Sequence, residues 1–187
     1  AYGWAHEFNI KLIQDAGFDY DPATLSQNTA SLDKSFFKLA SRGQLNSLDA
    51  GFNYQYLNES KDRPTGLIPG QIDVASYQSD VDQHQLDFSL HNTADNWKLY
   101  SRYSNHKESS GQSGGLRDTE IGQIEVNGLQ SWQFGDTTPS KPKASGAELV
   151  TGFNATYDTL NQIKHGASLA EIDDKSRTNL SAYGQVN

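Results

Sequence analysis

Between residues 147 and 158 the chain reads "AELVTGFNATYD". Ala147, Leu149, Thr151, Phe153, Ala155 and Tyr157 alternate with Glu148, Val150, Gly152, Asn154, Thr156 and Asp158. Successive side chains of a strand point to opposite faces, so this period of two predicts a strand with one mostly apolar and one mostly polar face. The period recurs. "GFNYQYLN" sets Phe52, Tyr54 and Tyr56 on one face, and "QLDFSLH" does the same for Leu86, Phe88 and Leu90. "WKLYSRYSNH" follows after the turn signal "NTADN", which predicts an antiparallel hairpin. "EIGQIEVNGLQSWQF" carries Ile124 and Val126, then a bend signal at Asn127–Gly128. The opening "AHEFNIKLIQ", with Phe8, Ile10 and Leu12, reads as a strand, as do "HGASLAEID" and "TNLSAYGQV".

One stretch departs from the rhythm. In "TASLDKSFFKLASR" a cap at Ser31, then Leu32, Phe36, Leu39 and Ala40 near helical spacing and a stop at Gly43, predict a short helix over 31–42. The longer "KSFFKLASRGQLNSLDAGFNYQY" also reads as strand, turn, strand. "DAGFDYDP", "KDRPTGLIPG", "KESSGQSGG" and "GDTTPSKPKASG" read as turns or polar loops. The expected fold is therefore all-β, an antiparallel barrel or barrel-like meander with one short helix near the N-terminus. Residues 1–45 form an N-terminal segment and 46–187 the antiparallel β domain.

Composition narrows the function. Net charge is -8, and the 15 Lys and Arg are scattered, so no basic patch for nucleic acid forms. Mean hydropathy is -0.72 and no apolar run approaches the ~18 residues of a membrane-spanning helix. A membrane β-barrel is compatible with both facts, because its signal is alternation. The chain has no cysteine, which excludes disulfide scaffolds, thiol nucleophiles and cysteine-ligated metal centres. It also has no methionine, even at position 1, as expected of a processed chain or a piece of a longer one.

Candidate chemistry is sparse. Trp4 and His6 form a W-x-H unit whose side chains share one face of a strand, and imidazole is the commonest neutral metal ligand. His84, His91, His106 and His165 make no H-x-H or H-x-x-x-H pair, and His84 and His91, seven apart, face opposite ways on a regular strand. Asp15, Asp19 and Asp21 in "DAGFDYD" lack the spacing of a calcium loop, and no spacing among these and Asp80, Asp82, Asp173 and Asp174 implies the shared cleft of a catalytic carboxylate pair. There is no G-x-S-x-G elbow, phosphate-binding loop or H-E-x-x-H, so a non-enzymatic role is expected.

The stretches "LNQIKHGASLAEIDDKSRTNLSAYGQV" and "HQLDFSLHNTADNWKLYSRYSNHKE" resemble barrel strands of Gram-negative outer-membrane proteins, both porins and TonB-dependent receptors. The likeness implies an extracytoplasmic barrel in the outer membrane that takes up or binds a small molecule or ion. Leu149, Phe153 and Tyr157 would then face lipid, and Glu148, Asn154 and Asp158 the lumen. Val186–Asn187 replaces the aromatic ending of a complete barrel, and no plug segment is recognisable, so a small barrel or part of a larger one is expected. "IGQIEVNGLQSWQFGDTTPSKPKASGAELVTG" is similar to secreted ligand-capture proteins that end in a soluble barrel. The W-x-H unit is similar to that of copper proteins secreted by methanotrophs. These two likenesses imply the alternative of a soluble secreted protein binding haem or copper, with Trp4 and His6 at the metal. A third reading is a structural or adhesive surface subunit that assembles through its edge strands.

Overall fold

A computed structural model of the chain describes residues 3–17, 31–64, 76–92, 94–112, 115–134, 147–165 and 172–186. Eight strands follow one another: β1 (Trp4–Asp15), β2 (Ser31–Leu45), β3 (Leu48–Pro64), β4 (Ser76–Asn92), β5 (Trp97–Gln112), β6 (Gly115–Phe134), β7 (Ala147–Lys164) and β8 (Ile172–Val186). They form one antiparallel sheet in sequence order, each strand pairing with its chain neighbours. Among the described residues no two non-consecutive strands touch, so the eight strands make a single layer. No large side chain is fully buried among them either.

The meander is as expected, whereas closure is not found. No ladder joins β1 to β8, and the sheet is open with these two strands as its edges. Alternation along a single strand is the same in an open and a closed sheet, which is why it did not separate them. The helix expected over 31–42 is also absent. Those residues belong to β2, which pairs from Ser31 to Leu45 with β3 and from Leu32 to Gly43 with β1. Leu32, Phe36 and Ala40 recur every four residues, and four is both close to a helical turn and twice the strand period. Phe37 and Leu39 fall on the opposite face to them, and ladders on both sides of β2 decide for strand. The strand–turn–strand reading of this stretch holds, with its turn at Asn46–Ser47 and Asn46 at φ 56°.

Other expectations shift at the strand ends. β5 runs through "KESSGQ" to Gln112, so most of the expected loop at 107–115 is strand. "DDKSR" at 173–177 is the start of β8 and not a turn. Asn127–Gly128 does not bend β6, which continues from Gly115 to Phe134. The loop expected over "KDRPTGLIPG" begins as strand, since Lys61 to Pro64 belong to β3; its remainder at 65–70, the turn expected over 18–22, the loop over 135–146 and residues 166–171 lie outside the described residues. The hairpin of β4 and β5 is found as expected. Asn92 holds its turn by accepting from the Ala94 and Asp95 amides at 3.0 and 3.2 Å, with Asn96 at φ 52°.

Gly128 has a different use from the expected bend. It lies opposite Phe153, and a Cβ there would run into the Phe153 ring. Gly43 stands in the same relation to Trp4, where a Cβ would meet the indole at 2.5 Å, and Gly152 to Tyr183. In each pair the ring lies over the backbone that the glycine leaves bare. Gly184 has nothing nearer than 4.0 Å. Gly128→Val is therefore expected to destabilise by about 1–3 kcal/mol through overpacking, and Gly184→Ala to stay within about 0.5 kcal/mol. Thermal unfolding followed by circular dichroism of the two variants checks this, and equal midpoints would contradict the ring-over-glycine account.

Candidate functional site

The seven ladders align residues across the whole sheet in hydrogen-bonded rows. One row on the polar face runs Glu7, Ala40, Asn53, Asp87, Arg102, Glu125, Thr156, Asn179. Its centre is Asp87, whose carboxylate accepts from Arg102 Nε at 2.7 Å, Tyr100 Oη at 2.8 Å, and Asn53 Nδ2 and Gln85 Nε2 at 2.9 Å each. Burial pulls the Asp87 carboxyl up, but hydrogen bonds from Arg102, Asn53, Gln85 and Tyr100 outweigh it and hold the pKa at about 2. Burial, together with the same carboxylate, pushes the Tyr100 hydroxyl up to about 12. Arg102 also lies over the Tyr100 ring, 5.4 Å from its centroid.

The network extends to both sides. Glu125 accepts from Asn127 and Asn154, and Asn154 also donates to Asn127. Asp158 accepts from Gln123 at 3.0 Å and from Arg177 Nη2 at 2.7 Å. Lys38 pairs with Glu7 at 2.8 Å. Lys38, Arg42, Asn53, Asp87, Tyr100 and Arg102 line a cleft of about 360 Å³ on this face. It presents fixed donors and acceptors of both signs to whatever fills it. Such a surface can orient a small polar solute by hydrogen bonds.

The opposite face is chemically distinct. Its apolar band has an upper margin, one residue per strand, at Leu12, Phe37, Tyr56, Leu86, Tyr103, Ile124, Tyr157 and Leu180. Beyond it the same face carries Ser35, Asn58, Asp82, Lys107, Glu120 and Asn161. Aromatic rings mark this margin. Phe8 meets Phe37 edge-on at 5.2 Å, and Phe37 meets Tyr54 at 5.9 Å. The Tyr56 hydroxyl donates to Asp82 at 2.9 Å, and the Tyr54 hydroxyl lies 2.9 Å from His84 Nδ1, so their polar tips point away from the band. Phe88, Ile124, Phe153 and Tyr157 within the band are all at least 41% exposed.

Trp4 and His6 share the apolar face of β1, as a strand requires. His6 Nδ1 lies 2.8 Å from Ser41 Oγ, and Trp4 lies over Gly43. No group of three or more His, Asp or Glu gathers at a metal-binding distance among the described residues. His84 and His91 fall on opposite faces, as their spacing predicts. The Asp87 node was not among the sequence candidates. The signal for it was present: a hairpin closed at Asn92 and Trp97 places Asp87 opposite Arg102. The chain matches no protein-family model, no curated protein and no solved structure.

The Asp87 node has a pH signature. Its folded pKa lies below the ordinary value of about 3.9. Its contribution is therefore complete above about pH 4 and fades as pH falls toward about 2. Tyr100, raised, contributes below about pH 10 and loses that as pH rises through about 12. With the part-exposure of the pair discounted, Asp87→Asn should cost about 1–2 kcal/mol at neutral pH. The gap between the denaturant midpoints of the two proteins should narrow to less than half as pH falls from 7 to about 2.5. A gap of equal size at pH 7 and pH 2.5 would show that charge on Asp87 is not its source.

Proposed function

We propose that the chain forms wall of an outer-membrane-type β-barrel, extracytoplasmic, with lipid against the apolar face and water against the polar face, which admits or binds a small solute. The reading rests on the slant of the apolar band. Relative to the row His6, Ser41, Phe52, Phe88, Ser101, Val126, Ala155, Leu180, the upper margin falls from Leu12 on β1 to Leu180 on β8. That is a drift of about six residues over seven strand steps, at ~3.3 Å per residue and ~4.8 Å per strand. It corresponds to strands inclined by about 30° to the band, close to the tilt of barrel strands.

Lipid imposes such a slant, because a bilayer sets height in its own frame and ignores the hydrogen-bond rows. On β7 the band spans Leu149 to Tyr157, roughly 26 Å along the strand and about 23 Å after tilt. A barrel's outer apolar belt is about 25 Å tall. Tyrosines with outward hydroxyls at the margin fit an interfacial girdle. Strands overhang the band at one end, while the turns at Asn46–Ser47 and around Ala94–Asn96 lie close to its other margin. A soluble sandwich would need a second layer over the band, and the described strands touch only their neighbours.

Val126 lies in mid-band between Ser101 and Ala155. Val126→Lys should cost about 2–4 kcal/mol in a bilayer, whereas Asn154→Lys on the polar face should change folding by no more than about 1 kcal/mol. Folded fractions in phosphatidylcholine vesicles, read by heat-modifiable gel mobility, test the difference. A protein that stays monodisperse without detergent and tolerates Val126→Lys would end the membrane reading.

A further inference from the structure

The polar face holds a second cleft, remote from Asp87 and near the β8 edge. It has a volume of about 550 Å³, within the range of small-ligand sites. Its floor is apolar: Ile121 of β6 and Leu160 of β7 lie side by side as a cross-strand pair. Ile121 is 43% exposed. His106, Asp158, Lys175 and Arg177 stand around this floor.

The rim is not symmetrical in charge. Asp158 is already engaged, accepting from Gln123 and from two nitrogens of Arg177 at 2.7 and 3.2 Å. Those bonds hold its carboxyl below the usual range, Arg177 contributing most. Among the residues whose side chains are described, no carboxylate lies at ion-pair distance from Lys175. Its position is set by a β-bulge. Leu160 pairs with Lys175 and Gln162 with Ile172, so two residues of β8, Asp173 and Asp174, oppose Asn161 alone. Asp174 takes φ 38°, a left-handed conformation uncommon for a residue with a side chain. Bulges of this kind re-aim a neighbouring side chain and are over-represented beside sites.

We infer that this cleft binds an organic anion, a carboxylate on an apolar body, with Ile121 and Leu160 against the body and the Lys175 ammonium against the carboxylate. The Arg177–Asp158 pair borders the charged end and keeps Asp158 from competing for Lys175. The inference deepens the solute-binding reading above and rests on the polar face being open to water.

The test is a titration of the 187-residue chain in detergent micelles with 2-naphthoate, followed by the ligand's fluorescence, with acetate and 2-naphthamide as comparisons. The carboxylate should bind saturably, and acetate and the amide at least about tenfold more weakly. Lys175→Gln and Ile121→Ser should each weaken 2-naphthoate by about five- to tenfold. Lys11→Gln, in the same row at the far edge, should leave it unchanged. Equal affinity for the amide, or full affinity in Lys175→Gln, overturns the site. Should the chain prove monodisperse without detergent, the membrane reading falls, and the same titration in buffer decides this one.

Discussion

Backbone hydrogen bonds between consecutive strands hold every other feature in place. A single layer has no shared interior, and among the described residues the small Ala40 and Ala50 are the only buried apolar side chains. Cohesion comes from seven ladders and from cross-strand pairs worth roughly 0.2–1 kcal/mol each. Such a sheet states its chemistry in rows, since each residue has a defined neighbour on the strands beside it. The Asp87 node is a product of this arrangement. Asn53, Asp87 and Arg102 occupy one row on three strands, and Gln85 and Tyr100 reach in from the adjacent rows.

The two faces answer different requirements. On the polar face, acids and bases are spent on one another, in the pairs Lys38–Glu7, Arg102–Asp87 and Arg177–Asp158. Lys175 takes part in none of these pairs. On the apolar face the large side chains lie side by side, and Phe8, Phe88, Ile124, Phe153 and Leu180 are exposed among the described residues. Glycine serves both faces. Gly128 and Gly43 give up their side chains so that rings can lie flat within the band, and Gly152 does the same for Tyr183 on the polar side.

Much of the sheet was legible in the sequence. Period-two alternation located β3, β4, β5 and β7, and the "NTADN" turn fixed the β4–β5 hairpin. Leu149, Phe153 and Tyr157 share one face, with Glu148, Asn154 and Asp158 on the other, as alternation requires. β2 was harder to read because Leu32, Phe36 and Ala40 satisfy helix and strand at once, and only ladders on both sides separate the two. Asn127–Gly128 carries a hairpin turn's residues but not its surroundings, since Phe153 occupies the space above Gly128. The clefts were not visible in composition. Asp87 and Arg102 are 15 apart in the chain, and Ile121 and Lys175 come from β6 and β8, which are brought together only by β7 between them.

The overhang beyond the apolar band has its own logic. Within the band, slipping one strand by a single residue would exchange its greasy set for its polar set, so the pairing there is heavily constrained. Above Tyr56, Tyr103 and Tyr157 both faces are largely polar, and the same slip costs little. The register shift between Leu160 and Gln162 lies in that zone, past Tyr157. The band thus acts as a keel that fixes alignment for the whole sheet. The crown above it is free to accept an extra residue, a kink or a new side-chain direction, and variation in what the sheet recognises has room to accumulate there without disturbing how the strands are held.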